Sequence, residues 1–185
     1  MTLLGAAQIR ELAAQLDLKP SKSLGQNFVI DSNVCTKIVR TAGVTSDDIA
    51  LEIGPGLGSL TLAMLEVAQS VLAVEIDSRL AQQLPITVAQ HFEHPENLTV
   101  INMDALAVNE LPVAPTVLVA NLPYNVSVPV LLHLLEKFPT LRTGVVMVQA
   151  EVADRLAAKP GGKEYGIPSV KAAWWADVKN VGTVS

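Results

Sequence analysis

The chain has 185 residues, 50% of them hydrophobic and 17% charged, and that balance excludes a disordered or collagen-like polymer. A domain of this length buries a core without staples, and the lone Cys35 excludes an internal disulfide or a cysteine-built zinc cage and points to a reducing, cytoplasmic setting. The net charge of −5 opposes a uniformly basic nucleic-acid surface, although residues 141–185 hold six basic residues against four acidic ones while residues 71–140 hold two against seven.

Ile9, Leu12, Ala13 and Leu16 recur at helical spacing, so the opening stretch reads as an amphipathic helix ending near Asp17. Glu11 and Asp17 interrupt any apolar leader, and no secretory signal is expected. A polar turn over Lys19–Asn27 follows. Asp31 or Ser32 then caps a helix that buries Val34, Ile38 and Val39 and stops at Gly43.

From Ile49 the pattern becomes regular. Apolar runs at Ile49–Ile53, Val71–Ile76, Leu98–Met103, Thr116–Ala120 and Gly144–Val148 alternate with helical stretches at Ser59–Ala68, Ser78–Phe92 and Ser127–Phe138. Runs apolar on both faces are central parallel strands, so the alternation predicts an α/β fold with a doubly wound sheet and right-handed crossovers. The uncharged segment between Glu110 and Glu136 contains Pro112, Pro115, Pro123 and Pro129, which a membrane-spanning helix would not accept together. Buried strands explain it instead.

In such sheets ligands bind outside the carboxyl ends of the strands. The residues that follow the five runs are Gly54-Pro55-Gly56-Leu57-Gly58, Asp77, Asp104, Asn121-Leu122-Pro123-Tyr124 and Gln149, so the residues with chemistry gather at one rim. Glycines after a strand let the backbone turn sharply and let a ligand approach closely. The third glycine comes one residue early for a dinucleotide fingerprint, with Ser59 at the required place. Glu75 closes the second run roughly 20 residues on, where a carboxylate can accept both hydroxyls of a ribose. These features indicate an adenosine-type cofactor without choosing between a nicotinamide dinucleotide and S-adenosylmethionine. Asp77 reads as a helix cap, and Asp104 as either a cap or an acceptor for an adenine amino group.

Asn121-Leu122-Pro123-Tyr124 sits at a strand end inside the uncharged stretch, so its polar groups need partners there. The amino nitrogen of adenine is a poor nucleophile because its lone pair is delocalised into the ring. A site that methylates it accepts both N–H hydrogens, here on the Asn121 side-chain oxygen and a main-chain carbonyl such as that of Leu122, while the flipped base stacks on Tyr124. The alternative is a strand-ending turn with a satisfied Asn and a packed Tyr.

With these motifs in this order the chain resembles the small-subunit ribosomal RNA adenine dimethyltransferases of the KsgA type. The likeness runs from Lys22 to Ser185 through Lys22–Phe28, Glu52–Gly58, Val74–Asp77, Met103–Ala105, Asn121–Ser127, Gln149–Leu156 and Lys163–Gly166. It implies a Rossmann-like S-adenosylmethionine-dependent methyltransferase core over 46–185, preceded by an N-terminal helical arm over 1–45 that carries the first cofactor motif. Asn27, Val29, Gly54 and Gly56 would line the cofactor site, Glu75 would hold the ribose and Asp104 the adenine amino group. Asn121 would serve both cofactor and target, with Leu122, Pro123 and Tyr124 shaping the target pocket and no metal involved.

The implied substrate is small-subunit rRNA within an immature ribosomal subunit, bound by a monomer in the cytoplasm without a membrane. The same cofactor motifs also suit a resistance-type large-subunit rRNA methyltransferase, and a non-catalytic ribosome-assembly factor would carry them too. An oxidoreductase is opposed by the glycine spacing and by Asn-Leu-Pro-Tyr. Val29 stands where the family more often has leucine, and Ile167-Pro168-Ser169 where it has Leu-Ser. The family continues past this point into a last sheet strand and a helical RNA-binding domain. A truncated chain is therefore expected, with an exposed edge beside a final strand-like run over Ser169–Val184, and one that binds cofactor but methylates poorly.

Overall fold

The computed structural model describes residues 3–18, 31–122 and 125–184. Helix α1 (Ala6–Gln15) buries Ile9, which joins Leu4 and Leu18 in the same core that α2 and the sheet build. Helix α2 (Ser32–Thr41) begins where expected, because the Asp31 carboxylate accepts the Asn33 N–H at 2.8 Å and so satisfies an otherwise orphaned donor. It ends at Gly43, whose φ of +66° turns the chain out of the helix.

Five strands follow: β1 (Ile49–Ile53), β2 (Ser70–Glu75), β3 (Leu98–Asn102), β4 (Val117–Asn121) and β5 (Thr143–Met147). Helices α3 (Ser59–Leu65), α4 (Ser78–His91) and α5 (Ser127–Lys137) connect them, and α6 (Ala150–Ala157) and α7 (Ile167–Trp175) complete the order. The sheet is parallel throughout, in the order β3-β2-β1-β4-β5. The periodicity therefore places all five strands, and α3 stops short of the expected Ala68.

Alternation along each strand divides the core in two. Ala50, Val71, Ala73, Val117 and Val119 pack under α1–α4, while Leu51, Ile53, Leu72, Val74, Leu118 and Ala120 pack under α5–α7. The chain leaves β1 toward β2 and β3 but leaves β4 toward β5, so the winding reverses between β1 and β4. That reversal opens a crevice at their carboxyl ends.

Close approach governs β5. Gly144 pairs with Leu118, and a Cβ there would lie 2.6 Å from the Leu118 main-chain oxygen. Any larger residue would push the two strands apart.

The end of the chain departs from the expectation of a strand-like run over Ser169–Val184. Residues Ile167–Trp175 form helix α7, and 176–184 adopt no regular structure. Pro168 in the first turn suits a helix start. Ser169 fixes that start: its Oγ accepts the Gly166 N–H at 3.1 Å and donates to the Arg155 carbonyl of α6. Ala172 is fully buried, whereas Trp174 is 80% exposed, so this run lies outside the sheet. The open edge on that side belongs to β5, and a groove of about 340 Å³ separates it from residues 179–184.

At the amino ends of the strands Asp48 is the fixed point. Its Oδ1 accepts the Thr116 hydroxyl at 2.7 Å, and its Oδ2 accepts the Thr45 N–H and hydroxyl at 2.8 Å each and the Arg142 guanidinium. Burial alone would raise this carboxyl, but the bonds from Thr116, Thr45 and Arg142 outweigh it and hold the pKa at about 2. Replacing Asp48 by Asn is expected to cost about 2 kcal/mol in urea denaturation at neutral pH. Because the folded value lies below the ordinary one, the contribution is present above pH ~4 and is lost as pH falls toward 2. The variant's acid profile should be flatter there.

Candidate functional site

The turn after β1 is built from three left-handed glycines: Gly54 (φ +68°), Gly56 (φ +58°) and Gly58 (φ +97°). Side chains rarely adopt this backbone, which explains the residue type at each position. Gly54 donates its N–H to the Val74 carbonyl at 2.9 Å, and a Cβ on it would meet the Asn121 main-chain oxygen at 3.7 Å. The glycine turn and the end of β4 therefore meet in space, across the crevice where the winding reverses.

Glu75 closes β2 and is 4% exposed. Its Oε2 accepts the Gly56 N–H at 3.2 Å and its Oε1 the Asp77 N–H at 2.9 Å, so the carboxylate spans the glycine turn and the start of α4. Each oxygen keeps a lone pair for a ligand hydroxyl. Burial pushes the Glu75 carboxyl up, against the lowering effect of the Asp77 and Gly56 N–H groups. Asp77 caps α4 through the Arg79 N–H at 2.9 Å, the role its position indicated.

Asp104 lies one rim position further along and is exposed. Its Oδ1 accepts the Leu106 N–H at 2.9 Å and caps a short 3-10 turn over Ala105–Ala107, so the cap reading holds while Oδ2 stays available to a ligand. Asn121 ends β4, half-buried and in register with Met147. Leu122 donates its N–H to the Met147 carbonyl at 3.0 Å, and its side chain lies in the core with Ile53 and Val130. Its carbonyl is thus the group it can offer to a site. Asn27, Val29, Pro123 and Tyr124 lie outside the described residues. Among the described residues no cluster of metal-ligating side chains forms.

The structure adds residues that the motif reading passed over. Asn102 on β3 donates through Nδ2 to the Glu75 carbonyl at 2.7 Å and fixes the end of β2. Ile76 and Met103 are apolar yet 57% and 44% exposed, next to Glu75 and Asp104. As the last residues of the apolar runs Val71–Ile76 and Leu98–Met103 they were indistinguishable from core. Glu52 is 1% exposed, and its Oε2 accepts the Thr61 hydroxyl at 2.6 Å. Burial drives its pKa up to about 8, opposed by the Thr61 bond and reinforced by the negative charge of Glu75. It opens the Glu52–Gly58 motif, but the motif reading gave it no role of its own.

The family model for ribosomal RNA adenine dimethylases matches residues 18–185. The chain belongs to the ribosomal RNA adenine dimethylase family. A curated member, the ribosomal RNA small subunit methyltransferase A of Leifsonia xyli subsp. xyli, is 62% identical over 186 residues, covering 100% of this chain and 66% of that protein. Curated relatives of this name are longer, and this chain spans 62–66% of the length of two of them. Among solved structures, a dimethyladenosine transferase from Plasmodium falciparum superposes with a TM-score of 0.69 at 31% identity, over 78% of this chain and 51% of that one. The 23S rRNA methyltransferase ErmE gives 0.63 at 33% identity, over 71% and 51%. The sheet and its crevice are thus those of Rossmann-like methyltransferases.

The buried Glu52 has a measurable consequence. Its folded pKa of about 8 lies above the ordinary value, so its stability contribution is full below pH ~4.5 and is lost as pH rises through 8. Relative to Glu52→Gln, the wild-type chain should lose on the order of 3 kcal/mol between pH 5 and pH 8.5 in urea denaturation. Parallel profiles would show that the carboxyl ionises freely.

Proposed function

We propose that this chain carries the catalytic machinery of an S-adenosylmethionine-dependent enzyme that dimethylates the N6 amino groups of adenines in small-subunit rRNA. The observation that carries the reading is the convergence of the left-handed glycine turn, the Glu75 carboxylate and the end of β4 at Asn121 on one crevice. The fit to the cofactor is chemical. The turn at Gly54 and Gly56 leaves no Cβ between backbone and ligand, and Glu75 is a buried acceptor with lone pairs to spare for a ribose diol.

S-adenosylmethionine supplies an electrophilic methyl group on a positively charged sulfonium. Gly54, Gly56, Asn27 and Val29 would line its site, Glu75 would hold the ribose hydroxyls and Asp104 would accept from the adenine amino group. The Asn121 side-chain oxygen and the Leu122 carbonyl accept the two N–H hydrogens of the target amine. This draws its nitrogen out of conjugation and aims its lone pair, and Pro123 and Tyr124 shelve the flipped base. No strong general base is required, because the cationic product amine is acidic and releases its proton to water.

The small-subunit assignment follows the Leifsonia relative, whose name specifies that subunit, over the large-subunit reading that ErmE represents. The partner is rRNA within an immature subunit and the enzyme acts as a monomer in the cytoplasm. Among the described residues no helix is long and apolar enough to cross a membrane.

Calorimetric titration with S-adenosylmethionine and NAD in parallel tests the cofactor, and binding of NAD alone would overturn the reading. Glu75→Ala should weaken S-adenosylmethionine by roughly tenfold or more, through lost charge-assisted hydrogen bonds. Asn121→Ala should lower methyl transfer to unmethylated small subunits by about 100-fold or more, while subunit binding in a sedimentation assay persists. Unchanged transfer by Asn121→Ala would remove this residue from the chemistry.

A further inference from the structure

Glu52 has no task in the scheme above, yet it sits beneath the turn that the scheme depends on. It precedes Gly54 by two residues at the end of β1, and its Oε2 is bonded at 2.6 Å to Thr61 in the first turn of α3. That single bond ties together the two chain segments that flank the glycine turn. Among the described residues none of the groups facing it from its neighbours is cationic. Glu75 from β2 raises its pKa, and Cys35 of α2 is itself pushed up to about 12 by burial and then by the charge of Glu52. The β4 residues on this face of the sheet are Val117, Val119 and, at its carboxyl end, the uncharged Asn121. Among the described residues neither lysine, arginine nor histidine pairs with it, and its only hydrogen-bond donor is the Thr61 hydroxyl.

A buried carboxylate without a countercharge keeps its proton near neutral pH. A cation brought to the turn supplies the missing charge, and a neutral ligand of the same shape does not. We infer that Glu52 is a specificity-determining residue that reads the charge of the ligand at the turn, releasing its proton to solvent when the sulfonium methyl donor binds and regaining one when the neutral thioether product remains. The inference rests on the S-adenosylmethionine reading and deepens it. Its consequence is that the spent cofactor is held less tightly than the loaded one for a reason separate from contact area: only the loaded form draws on an ionised Glu52.

The test is calorimetric titration of this chain with S-adenosylmethionine and with S-adenosylhomocysteine between pH 6 and pH 8. Each titration is run in phosphate and in Tris, so that the heat of buffer ionisation counts the protons released. The wild-type chain should release about one proton more with S-adenosylmethionine than with S-adenosylhomocysteine near pH 7, and its affinity for the former should gain up to about tenfold per pH unit. Glu52→Gln should abolish that excess. The amino group of each ligand titrates against both proteins, so it cancels in the difference between them. Thr61→Val retains the carboxyl but removes a bond that favours its charged form, so the excess should persist and move to higher pH. It also serves as the test if Glu52→Gln does not fold. Equal proton release by the two ligands, the same excess in Glu52→Gln, or an unmoved profile in Thr61→Val would overturn the inference while leaving the cofactor assignment standing. If neither ligand binds the wild-type chain, the cofactor assignment itself fails and the inference with it.

Discussion

The site depends on a carboxylate that has been taken out of water. Glu75 ends a strand buried on both faces, so its oxygens must find donors within the protein, and those within reach are the N–H groups of Gly56 and Asp77. One of these belongs to the glycine turn and the other to the start of α4. Satisfying the carboxylate therefore also shapes the turn and sets where α4 begins. A side chain at Gly56 would strain that backbone, and a shorter acid at Glu75 would lose one of the two donors. The cradle is a by-product of burying a charge, and the ligand inherits it.

The two rims of the sheet handle buried acids in opposite ways. At the amino ends Asp48 is saturated by Thr45, Thr116 and Arg142, and its carboxyl is held low. At the carboxyl ends Glu52 has one hydroxyl donor and Glu75 one N–H donor on each oxygen, fewer than Asp48 has, and burial holds both high. A saturated acid locks the strands it joins and has nothing left to offer. An under-supplied one carries a standing preference for an incoming donor or cation, at some cost to stability in its absence. This contrast separates scaffold from site without reference to any ligand.

Much of this was legible in the sequence because parallel strands buried on both faces are spelled as continuous apolar runs, and their ends fall where polarity resumes. Gly54, Gly56, Asp104 and Asn121 stood out because each follows such a run, and Glu75 because it is a charge inside one. What escaped notice had the wrong local spelling. Thr61 looks like any helix residue, and only a contact nine positions back in the chain makes it the partner of Glu52. Ile76 and Met103 continue the apolar runs that precede them, so exposure could not be inferred from pattern. The end of the chain misled for a different reason. Val170, Trp174 and Trp175 carry strand propensity, but Pro168 and the two hydrogen bonds of the Ser169 hydroxyl, accepted from the Gly166 N–H and donated to the Arg155 carbonyl, set a helix first, and tertiary contacts outweigh propensity there.

Gly144 bears on all of this from the far end of β5. Because only hydrogen fits against the Leu118 carbonyl, a slip of β5 by one residue would drive Thr143 or Val145 into that space, so the strand has a single permitted alignment. Asn121 meets Met147 across the same pair of strands, three residues further along each. The amino-terminal part of an edge strand thus works as a ratchet stop for the asparagine at the other end, and an edge open to solvent can be straightened or bent without letting the crevice lose its alignment.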